Sequence, residues 1–146
     1  MLFPNLELLA MSLPTEVPVS TRLKLSAAWA STMFCYLYCD YFELYVPGKL
    51  SDMLQGDMAP LGPVTQSVLL GTAILMLIPS LMVFLSVALP RVATRWLNVS
   101  FGVIYSGIMG LLFVMAGWWF YKLFAAVEML LTLYITWAAW RWSERR

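Results

Sequence analysis

Residues 67–89 carry no charged side chain across 23 positions and stop at Pro90. A helix of about 20 apolar residues is what crosses the hydrocarbon core of a bilayer, so this run constrains the chain more than any other feature. Composition points the same way. The chain is 62% hydrophobic and 12% charged, whereas a soluble domain is roughly a quarter charged. In 146 residues, four spans of about 20 each use more than half the length. The expected fold is therefore all-α, a four-transmembrane-helix antiparallel bundle with no room for a separate soluble domain.

Three further spans are legible beside the first. One covers residues 22–46, between the basic pair Arg22 and Lys24 and the helix-ending Pro47-Gly48, and is the least apolar of the four. The others cover residues 96–117 and 121–142, with a very tight connection between them. Residues 90–95 read as a short basic turn, which makes the second and third spans antiparallel neighbours. Residues 49–66 contain Asp52, Asp57, Pro60, Gly62 and Pro63 and read as an external loop. Within it, residues 49–58 form a surface helix with Leu50, Met53, Leu54 and Met58 roughly on one side. Residues 1–21 form an N-terminal cytoplasmic or interfacial segment, and residues 143–146 a basic tail. Pro4, Pro14, Pro18, Glu7 and Glu16, with no basic residue before Arg22, argue against a cleavable signal peptide.

Orientation follows from the basic residues. Seven of the nine (Arg22, Lys24, Arg91, Arg95, Arg141, Arg145, Arg146) fall in segments that an even number of crossings puts on one side, and only Lys49 and Lys122 on the other. Juxtamembrane Lys and Arg stay in the cytoplasm, so both termini are expected inside. Tryptophans favour the headgroup level. Trp96, Trp137, Trp140 and Trp142 fall at the inner boundary, Trp118 and Trp119 at the outer, and Trp29 somewhat deeper.

A charge at membrane depth costs several kcal/mol unless it is paired, hydrated or neutralised by a proton, so intramembrane carboxylates are the leading functional candidates. Asp40 and Glu43 share one face of the first span, with Tyr36 a turn before Asp40. Glu128 lies on the fourth span, with Thr132 a turn beyond it. The first span runs outward and the fourth inward, which places Asp40 and Glu128 at matched depths, each roughly 9 Å below the outer edge. They are expected to face one another, to share a proton, and to draw on Lys122 for compensation. The plainer alternative hydrates them near the interface and makes Glu43 and Lys122 a rim pair of small value.

Other features mark packing. Pro79 removes a backbone bond near mid-membrane and predicts a kink or hinge, with the freed carbonyl satisfied by a neighbour or a hydroxyl. Gly102, Ser106 and Gly110 recur at four-residue spacing and form a small-residue stripe for helix packing, within one chain or between chains. Cys35 and Cys39 lie on successive turns, a spacing unsuited to a disulfide, and read as packing residues. The chain has no histidine, no metal-ligand cluster, no nucleophile–base set and no nucleotide fingerprint, so no metal or cofactor is expected. A basic tract with interleaved aromatics is also missing, which excludes a nucleic-acid partner.

Tyr36-Leu37-Tyr38 with Asp40, Leu69-Leu70-Gly71, Ile78-Pro79, Met82, Leu85-Ser86, Arg95-Trp96-Leu97-Asn98, Glu128 and Trp137-Ala138-Ala139-Trp140 form a recognisable combination. It resembles a family of small bacterial four-helix membrane proteins classed only as a domain of unknown function. The likeness covers residues 22–142 and implies this fold in a bacterial inner membrane, without supplying an activity. In the family pattern an acidic residue precedes the Ile-Pro of the second span. Here Leu77 stands there, so a site using that carboxylate is altered in this chain.

Three functions remain open. A transporter or channel would bind a proton, cation or small polar substrate through Asp40 and Glu128, with a second copy enclosing the pathway and Pro79 allowing rearrangement. A structural or accessory subunit would instead dock a larger membrane partner through its small-residue stripe and aromatic faces. An enzyme or lipid-binding protein comes third, because the catalytic inventory is thin.

Overall fold

The computed structural model describes residues 18–58 and 61–142. Expectations for the N-terminal segment before residue 18 and for the basic tail lie outside the described residues. Five helices are present among those described: α1, Thr21–Glu43; α2, Lys49–Leu54; α3, Gln66–Ala88; α4, Arg91–Met115; and α5, Trp119–Trp140. No strand is found there, only a bridge between Asp57 and Pro63.

Local chemistry sets the helix ends. The hydroxyls of Ser20 and Thr65 accept from Leu23 N at 3.3 Å and Val68 N at 3.2 Å, capping the first orphan amides of α1 and α3. α1 stops at Glu43, short of the expected residue 46. Pro47 disfavours α geometry before it, and the chain tightens into three-residue turns, with Leu44 N on Tyr41 O at 3.3 Å and Val46 N on Glu43 O at 3.0 Å. The surface helix α2 is shorter than the expected 49–58, because Gly56 takes a left-handed φ of 76° that a helix does not continue through.

The expected turn over residues 90–95 is a difference worth its reason. Only Leu89 and Pro90 separate α3 from α4. Pro90 holds φ at −56° and needs no amide partner, so the helix starts directly after it and takes up Arg91 and Arg95. The Thr94 hydroxyl then donates to Leu89 O at 3.1 Å and Pro90 O at 3.2 Å, which fixes the corner.

α3, α4 and α5 are long and apolar enough to cross a membrane. α1 is as long as α3, at 23 residues, but carries Arg22, Lys24, Asp40 and Glu43 and is not among them. The long helices run antiparallel. The start of α1 meets the end of α3, where Arg22 Nη1 donates to Val87 O at 3.0 Å and Ser26 Oγ to Val83 O at 2.7 Å. α4 packs most extensively on α5, α1 lies against both α5 and α3, and α3 touches α4 far less. The molecule thus has two ends, named here for Pro90 and for Gly117.

The interior mixes apolar residues such as Leu25, Met82, Tyr105 and Ile135 with polar ones. Thr32, Ser86, Thr94, Asn98, Glu128 and Thr132 are buried, while Leu70, Phe84, Val114, Leu123 and Leu130 face outward. So large an exposed apolar surface is compatible with contact with a bilayer.

At the Pro90 end the interior is a closed polar layer. Trp29 Nε1 donates to Asn98 Oδ1 at 2.8 Å, and Asn98 Nδ2 donates to Thr94 O at 2.8 Å and to Ser86 Oγ at 3.2 Å. Trp29 also meets Tyr105 edge to face at 5.8 Å. It is therefore a core residue of the interior and not part of an interfacial belt. Arginines ring the outside of this end: Arg91 lies 5.1 Å from the Trp142 ring centroid, and Arg95 Nη2 donates to Trp140 O at 3.2 Å.

Gly102 explains the tight α4–α5 pairing. A Cβ there would stand 3.1 Å from Thr132 O and 3.2 Å from Thr136 N and would collide with the Thr136 hydroxyl. Ser106 Oγ donates to Gly102 O at 2.7 Å and bridges to Thr132 Oγ1 at 2.8 Å. Gly110 is looser, its Cβ position meeting only Met129 Sδ at 3.7 Å. The small-residue stripe thus packs on α5 of its own chain.

Candidate functional site

Towards the Gly117 end the long helices diverge around a cavity of about 420 Å³. α1 brings Tyr36, Cys39, Asp40 and Glu43 to it, and α5 brings Tyr121, Ala125 and Glu128. α3 and α4 contribute an apolar wall that includes Leu75, Met76, Ile108 and Met109. The sequence placed Tyr36, Asp40, Glu43 and Glu128 in one neighbourhood, and all four line this space.

Helical periodicity puts them there. On α1, Trp29, Thr32, Tyr36 and Cys39 follow a three-to-four-residue spacing and form the buried stripe, which Asp40 and Glu43 flank and extend. On α5, Ala125, Glu128, Thr132, Ile135 and Ala139 do the same. The two helices run in opposite directions, so Asp40 and Glu128 fall at comparable levels and line the same cavity.

The carboxylates differ in their surroundings. Glu128 is only 3% exposed, and its Oε1 has no hydrogen-bond partner. The Tyr36 hydroxyl is likewise buried and without a partner. Asp40 is exposed and stands at the mouth of the cavity. Glu43 is tied down by an ion pair with Lys49, and Tyr121 lines the same cavity.

Two sequence expectations need correcting. Lys122 does not pair with Glu43; it lies over the Trp119 ring, 5.4 Å from the centroid. The partner is Lys49, because the turn after Val46 folds back on α1, with Lys49 N bonded to Val46 O at 3.1 Å. Thr132 does not line the cavity. Its hydroxyl donates to Glu128 O at 2.9 Å and sits at the bridge to Ser106, a packing position one turn deeper.

Pro79 is buried inside a helix that continues through it. The carbonyl it frees, that of Leu75, accepts from the Tyr105 hydroxyl on α4. This is the expected rescue by a hydroxyl, supplied by a residue the sequence did not single out. Tyr121 was also missed, although it lies seven residues, two helical turns, before Glu128 and so on the same face. The methionines of the apolar wall carry no sequence signal beyond hydrophobicity.

Chemically, the arrangement offers a buried acceptor without a partner, a second acid at the entrance, and two phenols in the same lining. Cys35 and Cys39 are both free thiols. Among the described residues no group of three or more His, Cys, Asp or Glu is placed to hold a metal ion. In comparisons with known proteins, no curated protein and no solved structure matches the chain. A family model does match, over residues 18–146, and the chain belongs to that family, DUF6326, a family of unknown function.

Proposed function

We propose that this is a multi-pass membrane transporter or channel that binds a proton, a cation or a small polar substrate through Glu128 and Asp40. The observation that carries the reading is Glu128, buried at 3% exposure against a cavity with Oε1 unpartnered. A fold that buries an ionised carboxylate without a partner bears several kcal/mol, which a bound proton or cation removes.

In this reading α1 is a fourth crossing, because it matches α3 in length and packs along both α3 and α5. Four crossings put the arginine-ringed Pro90 end and both termini in the cytoplasm of a bacterial inner membrane, with the acidic cavity facing outward. The layer of Trp29, Asn98 and Ser86 is then the inner gate. Pro79 is the hinge: its rescuing bond comes from Tyr105 on another helix, so α3 can exchange that bond as it moves. A second copy completes the pathway where α3 and α4 stand apart.

The accessory-subunit reading drew on the small-residue stripe and on the aromatic faces. The stripe packs on α5 of its own chain, which leaves only the aromatic faces for docking.

The test is flux into proteoliposomes, driven by a proton or cation gradient, for the parent, Glu128→Gln and Asp40→Asn. Transport through these acids predicts a severe loss in the first and a partial loss in the second. Parent-like flux in both variants contradicts it.

A further inference from the structure

We infer that the cavity takes an organic ammonium ion, with the charged nitrogen between Glu128 and Asp40 and an apolar body against α3 and α4. This rests on the transport reading of the same site and names its substrate class.

Size is the first argument. About 420 Å³ is far more than the roughly 30 Å³ share of one water molecule, and lies within the range of about 300–1,000 Å³ found for organic ligands. The division of the lining is the second. Every acid comes from α1 or α5, whereas α3 and α4 present Leu75, Met76, Ile108, Met109, Leu112 and Met115. A proton or an inorganic cation makes no use of that wall. An apolar body does, and methionine side chains adapt to its shape.

The third argument is the pair of unpartnered atoms. Glu128 and Tyr36 both line the cavity, and Glu128 Oε1 and the Tyr36 hydroxyl are enclosed in its wall with no partner within the chain. An ammonium group brings several N–H donors, enough for the carboxylate and the phenol oxygen together, and its charge compensates the acids. Among the described residues, Lys49 is the cation near this end that pairs with an acid, and it is engaged with Glu43 at the rim. Tyr36 and Tyr121 add aromatic surface that favours a desolvated cation. A metal ion fits less well, because no cluster of three or more ligating side chains exists among the described residues.

The experiment is isothermal titration of the full chain in detergent micelles with benzylammonium, methylammonium and benzyl alcohol. Benzylammonium is expected to bind. Methylammonium, which lacks the ring, is expected to bind at least about tenfold more weakly, in line with the loss of a buried phenyl group. Benzyl alcohol, which lacks the charge, is expected to fall by a similar factor, as is benzylammonium on Glu128→Gln. Equal affinity for benzylammonium and benzyl alcohol, or for benzylammonium and methylammonium, overturns the inference, as does no binding at all. The ligand series on the parent chain decides even where the variant fails to fold. Glu128-dependent flux of protons or inorganic cations without benzylammonium binding removes this inference and leaves the transport reading standing. Flux indifferent to Glu128 removes both.

Discussion

The two ends of the helices bury polar side chains under opposite terms. At the Pro90 end Trp29, Ser86, Thr94 and Asn98 are buried and each has a partner inside the chain. At the Gly117 end Tyr36 and Glu128 are also buried, at 5% and 3% exposure, and each keeps an atom without one. An unsatisfied buried polar atom costs about 1–3 kcal/mol, more if charged. The satisfied layer therefore helps hold the fold together, whereas the pair at the Gly117 end finds no partner within the chain. Buried polarity alone does not mark a site; the candidate at the Gly117 end stands out because its buried polar atoms lack a partner within the chain and belong to residues that line a cavity.

Substitutions at the two ends should separate these roles. The largest effect is expected from Glu128→Gln, which keeps the shape and removes the charge. Cation-dependent flux should fall roughly 10- to 100-fold, the equivalent of losing one charge-assisted hydrogen bond. Thermal stability in detergent should hold or rise, because a buried charge without a partner is gone. A variant that lost stability and kept flux would reverse the assignment of the two ends.

Asn98→Leu should do the opposite. It strips Trp29 Nε1 of its acceptor and Ser86 of its partner, at a cost of about 2–3 kcal/mol in stability. Protein still folded at low temperature should retain Glu128-dependent flux. Gly102→Ala follows, because its methyl group meets α5 backbone at 3.1 and 3.2 Å and forces the helices apart, costing about 1–2 kcal/mol. Both are read by denaturation in detergent.

Tyr105→Phe should cost about 1 kcal/mol by leaving the Leu75 carbonyl unpaired beside Pro79. Since that bond joins the satisfied end to the cavity wall, its loss should also change the rate of flux, which stopped-flow measurement would resolve. Gly110→Ala sharpens the contrast with Gly102 and is the smallest effect expected. Its added methyl group makes only ordinary contact with Met129, and alanine's helix preference should leave stability unchanged or raise it by up to about 1 kcal/mol.

The helices were legible because apolar runs, Pro47-Gly48 and Pro90 leave strong local marks. That Asp40 and Glu128 belong to one neighbourhood was also within reach, since opposed directions and matched depths on neighbouring helices suffice to bring two residues to a common cavity. What stayed hidden depended on contacts that spacing does not encode. Asn98 and Ser86 show nothing in isolation, and only the packing of α1, α3 and α4 turns them into acceptor and donor for Trp29 and each other. Glu43 found Lys49 and not Lys122 because a turn over Pro47-Gly48 reverses the chain, and one-dimensional distance from the membrane edge does not contain that turn. Thr132, one turn from Glu128, sits below the floor of the cavity because Gly102 draws α4 against α5 at that level.

Labelling with a hydrophobic carbodiimide, mapped by mass spectrometry at mildly acidic pH, tests the contrast most directly. A protonated carboxyl group that the reagent can reach from an apolar space gives its proton to a carbodiimide nitrogen and adds through oxygen to the central carbon. Modification is expected at Glu128, well ahead of the ion-paired Glu43, with benzylammonium slowing it. A Glu128 that stays unmodified while Glu43 reacts would mean that the buried acid is not open to the cavity, and the account would fail.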